Sequence, residues 1–267
     1  MPFLDNHRAK IYYEIYGEGP PLLMIAGLSS DSKSWQYVKK SLGGVYTLII
    51  FDNRGCGRTE YTGAFSLSDI ASDAISLIDH LGYKKVHLLG HSMGGMIAME
   101  LALDHPDRLN KLVLASSCTK LSAKARIKLE DLYTKWLNGY DMVEWYRLMF
   151  EGLFSEKVTG NKQFMDAAII FSMSYPYAQK PEGFKDQVEA IINFDISHSY
   201  VNIDHTTMII SGSEDMLILA GESRQLMNIN GNSSFHLIDG AAHTIHAEMP
   251  GEFAEIVLEF LGADDRS

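Results

Sequence analysis

The hexapeptide Gly90-His91-Ser92-Met93-Gly94-Gly95 constrains the fold of this chain more than any other stretch. It stands between an apolar run, Val86-His87-Leu88-Leu89, and a segment rich in Ala, Met and Leu that continues to Leu103. The first reads as a buried strand and the second as a helix. Ser92, at the centre of Gly90-x-Ser92-x-Gly94, therefore sits at the apex of a sharp strand-to-helix turn. Backbone on such a turn comes too close for a Cβ, so glycine flanks the serine on both sides. The strain lifts the hydroxyl out of the sheet, where a base and a substrate can both reach it. The same pentapeptide also serves ordinary glycine-rich βα turns, so its meaning depends on the rest of the chain.

Taken in order, the chain alternates strands and helices. Lys10 to Tyr16 reads as an early strand and Leu22 to Ala26 as a strand buried on both faces, ending at Gly27-Leu28-Ser29. Trp35 and Val38 predict a helix over Ser34 to Leu42. Tyr46 to Phe51 is a second buried strand, ending in Asp52-Asn53-Arg54-Gly55-Cys56-Gly57-Arg58-Thr59. Ser68 to Leu81 is an amphipathic helix with Ser68-Asp69 as its expected cap. Leu109 to Ala115, Thr207 to Ser211 and Ser234 to Ile238 are further strands, with helices expected from Ala220 to Met227 and from Ile245 onward. Gly262 to Ser267 is polar and expected to fray. This alternation predicts an α/β fold, a mostly parallel central sheet with helices on both faces. Ligands of such sheets bind beyond the carboxyl ends of the strands, where Gly27-Leu28, Asp52 to Thr59 and the serine turn all fall.

From about Lys120 to Phe194 the strand signal disappears. Leu129, Leu132, Tyr133, Trp136 and Leu137 share one helical face, as do Phe184, Val188, Ile191 and Ile192. The expected organisation is a core of residues 1–119 and 196–267, with a cap of about four helices over 120–195. Most of the aromatic and methionine side chains of this insert are expected to pack it onto the sheet. A minority would line an apolar pocket over Ser92 and exclude water from it.

Lys and Arg total 23 against 34 Asp and Glu, a formal charge of −11, which argues against nucleic acid or an anionic membrane as a partner. A hydrophobic share of 46% supports a substantial core in either one large α/β domain or two small ones. Cys56 and Cys118 are too few for a disulfide framework and lack metal-ligand spacing, so no metal or cofactor is expected. No apolar run reaches the roughly 18 residues of a spanning helix, and the amino-terminal residues lack a signal-peptide pattern. A cytoplasmic monomer or homodimer is the default expectation.

A serine hydroxyl needs a base to become a nucleophile, and histidine, with an ordinary pKa of about 6.5, suits the task. A buried carboxylate must then fix the tautomer of that histidine. Asp215 follows one late strand and His243 follows the next, giving the order Ser, Asp, His with the insert in the first gap. Glu214 is the competing carboxylate. His91 and His246 read as packing or capping residues, His87 and Asp52 as structural, and Cys56 as a small filler.

With these pieces in place the chain resembles an α/β-hydrolase over essentially its full length. The resemblance rests on Gly90 to Gly95, Asp52 to Thr59, Gly212-Ser213-Glu214-Asp215, and Gly240-Ala241-Ala242-His243 followed by Glu248-Met249-Pro250. Within that family it is similar to single-domain carboxylesterases and enol-lactonase-like enzymes. The resemblance implies Ser92 as nucleophile, His243 as proton shuttle and Asp215 as the orienting carboxylate. It also implies an oxyanion hole from the main-chain N–H of Met93 and of Leu28, with Ser29 as the alternative to Leu28. The implied substrate is a small apolar carboxylic ester or lactone. A slow or non-catalytic ligand receptor, a C–C bond hydrolase and a perhydrolase are alternatives on the same scaffold. Two positions depart from the family pattern. Ala26-Gly27 stands where His-Gly is common, so the support of the oxyanion loop must differ. Thr206-Thr207 stands where Pro-Thr is usual.

Overall fold

The structure, a computed structural model, describes residues 2–229 and 231–262. The expected fraying of the carboxyl-terminal tail falls, from Ala263 on, outside the described residues.

The strands are β1 (Phe3–Asn6), β2 (Ala9–Tyr16), β3 (Pro21–Ile25), β4 (Thr47–Phe51), β5 (Glu60–Tyr61), β6 (Val86–His91), β7 (Leu109–Ala115), β8 (Thr207–Gly212) and β9 (Ser233–Ile238). They form one sheet in the order β1-β2-β4-β3-β6-β7-β8-β9, with β5 paired to β2. Every neighbouring pair from β4 to β9 is parallel, and β2 is antiparallel to both β1 and β4. The sheet is thus the mostly parallel one expected. β1 and β5 were not legible in the sequence, because short edge strands bury too little to impose an apolar pattern.

Central strands β3 and β4 divide their side chains between two cores. Leu23, Ile25, Ile49 and Phe51 face one layer, and Leu22, Met24, Leu48 and Ile50 face the other. The first layer holds α2 (Leu67–His80) and α3 (Met93–Asp104), and the second holds α1 (Lys39–Leu42) and α11 (Pro250–Leu261). Burial on both faces explains the uninterrupted apolar runs.

Three predicted helices are adjusted. The segment expected as one helix over Ser34 to Leu42 is a 3₁₀ turn, Ser32–Trp35, followed by the single turn α1. Its bonds run from Ser34 N–H to Asp31, Gln36 N–H to Lys33 and Val38 N–H to Trp35, all three residues back. A spacing of three between Trp35 and Val38 suits that tighter winding, in which i and i+3 eclipse. The cap of α2 is Ser66 rather than Ser68. Its hydroxyl accepts from Asp69 N–H while the Asp69 carboxylate accepts from Ser66 N–H, a reciprocal capping box. The closing helix is broken into α10 (Ile245–Glu248) and α11, because Pro250 lacks an N–H and disfavours helical backbone at Met249.

Between β7 and β8 the chain forms α4 (Ala123–Leu137), α5 (Met142–Leu153), α6 (Glu156–Thr159), α7 (Lys162–Ser174) and α8 (Pro181–Ile192). The single-turn α6 is the element that an expectation of about four helices missed. The neck of this segment is closed where Lys120 and Asp195 bridge, with their side chains 2.7 Å apart. α9 (Ala220–Ile229) then precedes β9.

The loop after β4 is fixed by a buried ion pair. Arg54 Nε donates to Asp73 Oδ2 at 2.6 Å and Nη2 to Oδ1 at 2.7 Å, with both side chains at most 4% exposed. Asn6 Nδ2 also donates to Asp73, at 2.8 Å. Asp73→Ala would leave the guanidinium buried and unpaired, so a stability loss of about 3–5 kcal/mol is expected, read as a lowered midpoint in urea unfolding.

Candidate active site

Ser92 is the single residue between β6 and α3, and it adopts φ 54° and ψ −118°. Such backbone is costly for a residue with a side chain, by about 1–3 kcal/mol, and is held by its surroundings. Ser92 N–H donates to the Ala115 carbonyl at 2.8 Å, and Ser117 Oγ donates to the Ser92 carbonyl at 2.9 Å. The flanking glycines are required by close approach. A Cβ at Gly90 would fall on the Gly94 carbonyl, and one at Gly94 on the Ile25 carbonyl oxygen.

Two loops bring partners to the serine. His243, in the loop after β9, stands with Nε2 2.9 Å from Ser92 Oγ and Nδ1 2.8 Å from Asp215 Oδ2. Asp215, in the loop after β8, accepts with its other oxygen from Leu217 N–H at 2.9 Å and Ile218 N–H at 3.0 Å. All three residues are at least nine-tenths buried. Burial pushes the Asp215 carboxyl up. The neighbouring His243 and the three hydrogen bonds outweigh it and hold the group below the ordinary aspartate value. An ionised Asp215 keeps the imidazole proton on Nδ1, which leaves Nε2 free to accept from the Ser92 hydroxyl.

The competing residues take other roles. The Glu214 carboxylate accepts from Glu156 N–H at 3.3 Å, while His243 pairs with Asp215. His91 Nε2 donates to the His243 carbonyl at 2.9 Å, so this histidine fixes the backbone of the loop after β9. The His246 ring packs at a tilt against Trp35, centroids 4.7 Å apart, and edge-on against His91 at 4.5 Å. Burial, with neighbouring histidines adding to it, lowers His246 to about 3 and His91 well below the ordinary range, so both are neutral near pH 7. Asp52 braces its own loop, accepting from Ser32 N–H and Arg58 N–H, each at 2.8 Å. Burial pushes the Cys56 thiol well above its ordinary value, which removes it as a nucleophile at neutral pH.

The N–H groups of Leu28 and Met93 have no hydrogen-bond acceptor among the described residues. The alternative donor, Ser29 N–H, is already given to Gln187 Oε1 at 3.0 Å. Gly27 brings its loop against the elbow, where a Cβ would stand 3.2 Å from that of Ser92. The support that His-Gly commonly gives is replaced by Asn53 Nδ2, which donates to the Ala26 carbonyl at 2.9 Å, and by Gln187. Gln187 was missed from sequence. Its signal is a glutamine sharing the apolar face of Phe184, Val188 and Ile191 on α8, where a polar side chain must find partners.

A cavity of about 480 Å³ opens over Ser92 and His243. Its walls include Met93 and Met96 from the core and Leu129, Leu132, Met149 and Phe184 from the helices between β7 and β8. Lys128, Asp131, Lys135 and Glu151 also line it. Among the described residues no group of three or more His, Cys, Asp or Glu is placed to hold a metal ion, and no helix is long and apolar enough to cross a membrane.

A sheet of this order, with a strained serine after β6 and an Asp–His pair on the loops after β8 and β9, defines the class. The sequence model of the α/β-hydrolase fold family matches residues 20–250, and the chain belongs to that family. It is 25% identical over 271 residues to a protein of Azorhizobium caulinodans provisionally named carbamate hydrolase RutD, covering 100% of both chains. It is also 25% identical over 259 residues to the pyrrolizixenacetamide deacetylase of Xenorhabdus hominickii, covering 96% of each. Among solved structures, the enol-lactonase of Burkholderia xenovorans superposes with a TM-score of 0.87 at 21% identity, over 97% of this chain and 99% of that one. Est816, an N-acyl homoserine lactone degrading enzyme, does so with a TM-score of 0.81 at 25% identity, over 96% and 98%.

Proposed function

We propose that the chain is a serine hydrolase acting on a small, largely apolar carboxylic ester or lactone. One observation carries this reading: the unbroken hydrogen-bonded line Ser92 Oγ, His243 imidazole, Asp215 carboxylate beside a 480 Å³ apolar cavity. Ser92 Oγ attacks the acyl carbon while His243 Nε2 takes the hydroxyl proton. The carbonyl oxygen becomes an oxyanion held by the N–H groups of Leu28 and Met93. Collapse breaks the bond to the leaving oxygen, which receives the proton from His243; an ester's alcohol then departs, whereas a lactone's stays attached as a hydroxyl on the acyl chain. Water, deprotonated by the same nitrogen, then attacks the acyl-serine; the acyl–Oγ bond breaks, His243 returns the proton to Ser92 Oγ, and the acid is released. Asp215 stays ionised throughout and stabilises the imidazolium in each half-reaction.

Residues 120–195 act as the cap of this site, since their helices supply most of the apolar wall. Excluding bulk water around the reacting carbonyl would strengthen the oxyanion contacts, while a single water must still reach the acyl-serine for turnover. The relatives named as a carbamate hydrolase and as a pyrrolizixenacetamide deacetylase favour a second reading, in which the scissile bond is C–N. The same residues would serve, with His243 protonating an amine.

Labelling with a fluorophosphonate, followed by peptide mass spectrometry, tests the first step. The expected result is a single adduct on the peptide holding Ser92. Absence of an adduct, together with ligand-induced thermal stabilisation and no turnover of any ester, would replace the hydrolase with a binding protein of the same fold. Matched panels of p-nitrophenyl esters, lactones and carbamates then rank the scissile bond.

A further inference from the structure

The oxyanion loop is tied to the cap through one side chain, and the geometry points to Gln187 as the positioning residue of the oxyanion hole. The inference rests on the serine-hydrolase reading above. Gln187 is fully buried on α8, yet each end of its amide is engaged. Oε1 accepts from Ser29 N–H at 3.0 Å and from Gln179 Nε2 at 2.8 Å, and Nε2 donates to the Arg54 carbonyl at 2.8 Å. Gln179 Nε2 also donates to the Gly55 carbonyl, at 3.0 Å. Arg54 is in turn locked by Asp73. The segment that follows Leu28 is therefore anchored to a rigid loop by way of a cap helix.

The loop needs such an anchor. Ser30 N–H donates to the Gly27 carbonyl at 3.3 Å, closing a turn with Leu28 and Ser29 at its centre. Ser29 has φ 60°, at a turn position that favours glycine or asparagine, so the turn is strained as it stands. Rotation of the Leu28–Ser29 peptide is the route by which that strain would relax. Such a rotation would turn the Leu28 carbonyl toward Gln187 Oε1, an acceptor facing an acceptor, and the existing bond opposes it. On the upstream side Asn53 holds the Ala26 carbonyl. Between these two anchors lies the Gly27–Leu28 peptide, whose carbonyl is held by Ser30 N–H in the same turn and whose N–H, that of Leu28, is left unengaged.

Two consequences follow for the enzyme. The hole is preorganised only while α8 is seated, so the cap contributes to the chemical step as well as to substrate fit. Gln187 also settles which N–H is available, because it consumes that of Ser29 and leaves that of Leu28.

The test compares Gln187→Met, which keeps the length of the side chain and loses the amide, with Gln179→Met. The second loosens the same cap junction but leaves the bond from Ser29 to Gln187. Each is assayed for the rate of fluorophosphonate labelling at Ser92 and for kcat and KM on a p-nitrophenyl ester, with thermal unfolding alongside. A misplaced donor costs about 10- to 100-fold in rate. That loss is expected in kcat and in labelling rate for Gln187→Met, with KM changed less than about threefold and Gln179→Met close to wild type. Equal losses in both variants, or a loss confined to KM, would show that Gln187 merely holds the cap on and would overturn the inference. If Gln187→Met does not fold, Gln187→Asn, one methylene short of Ser29, is read with the same outcomes. Failure of wild-type labelling would instead sink the hydrolase reading itself.

Discussion

Ser92→Ala is expected to lower kcat on a good ester by about 10⁵- to 10⁶-fold while leaving the fold and its unfolding midpoint unimpaired. The size follows from what is lost. Without Oγ no acyl-enzyme forms, and His243 can only activate water in a cavity shaped for a different attacking atom. A residual rate above the uncatalysed reaction should survive, since the Leu28 and Met93 N–H groups are backbone and remain in place. Alanine also keeps the strained φ of 54° without adding bulk, so no compensating collapse is expected at the turn. Steady-state kinetics with a circular dichroism control checks both halves. Wild-type turnover in the variant would remove Ser92 as nucleophile and with it the proposed mechanism.

The second large effect is expected from Asp215→Asn, a loss of about 10⁴-fold in kcat near neutral pH. An asparagine amide nitrogen facing His243 Nδ1 would require that nitrogen to accept. The ring proton would then move to Nε2, and the imidazole could no longer take the Ser92 proton. Glu214 cannot substitute, because its carboxylate is engaged by the amide of Glu156. Folding depresses the Asp215 pKa, so in the wild type its charge stabilises the native state above the unfolded value of about 3.9. That contribution is lost as pH falls through the lower folded value. Acid unfolding curves of wild type and Asp215→Asn should therefore differ in slope in this range. Parallel curves would mean that the carboxyl is not stabilised by its partners.

The alternation of apolar runs with helical periods was enough to read the parallel core. Strands such as β3 and β4 are buried on both faces, and a doubly buried strand leaves an unmistakable apolar signature. The readings that shifted lie where local chemistry outweighs periodicity. Trp35 and Val38 fit a helix by spacing, but the Asp31 and Asp52 side chains bind the first N–H groups of that segment and hold it in a tighter turn. Pro250 divides the last helix for a covalent reason visible in the sequence, although the apolar face runs through it.

Sequence by itself determined the candidate triad. Glycines at 90 and 94, a serine between them, and an aspartate and a histidine after successive late strands leave few geometries, because a parallel sheet carries every such loop to one edge. Tertiary structure alone decided how those groups are held and what they face. That Ser29 N–H is engaged while Leu28 N–H is left without an acceptor depends on Gln187, 158 residues beyond Ser29 in the chain. Which side chains wall the cavity depends on how α4, α5 and α8 cross above Ser92, since amphipathic periodicity fixes the buried face of a helix but not its neighbour. Long-range packing has no local signature, and the pocket over Ser92 is built from it.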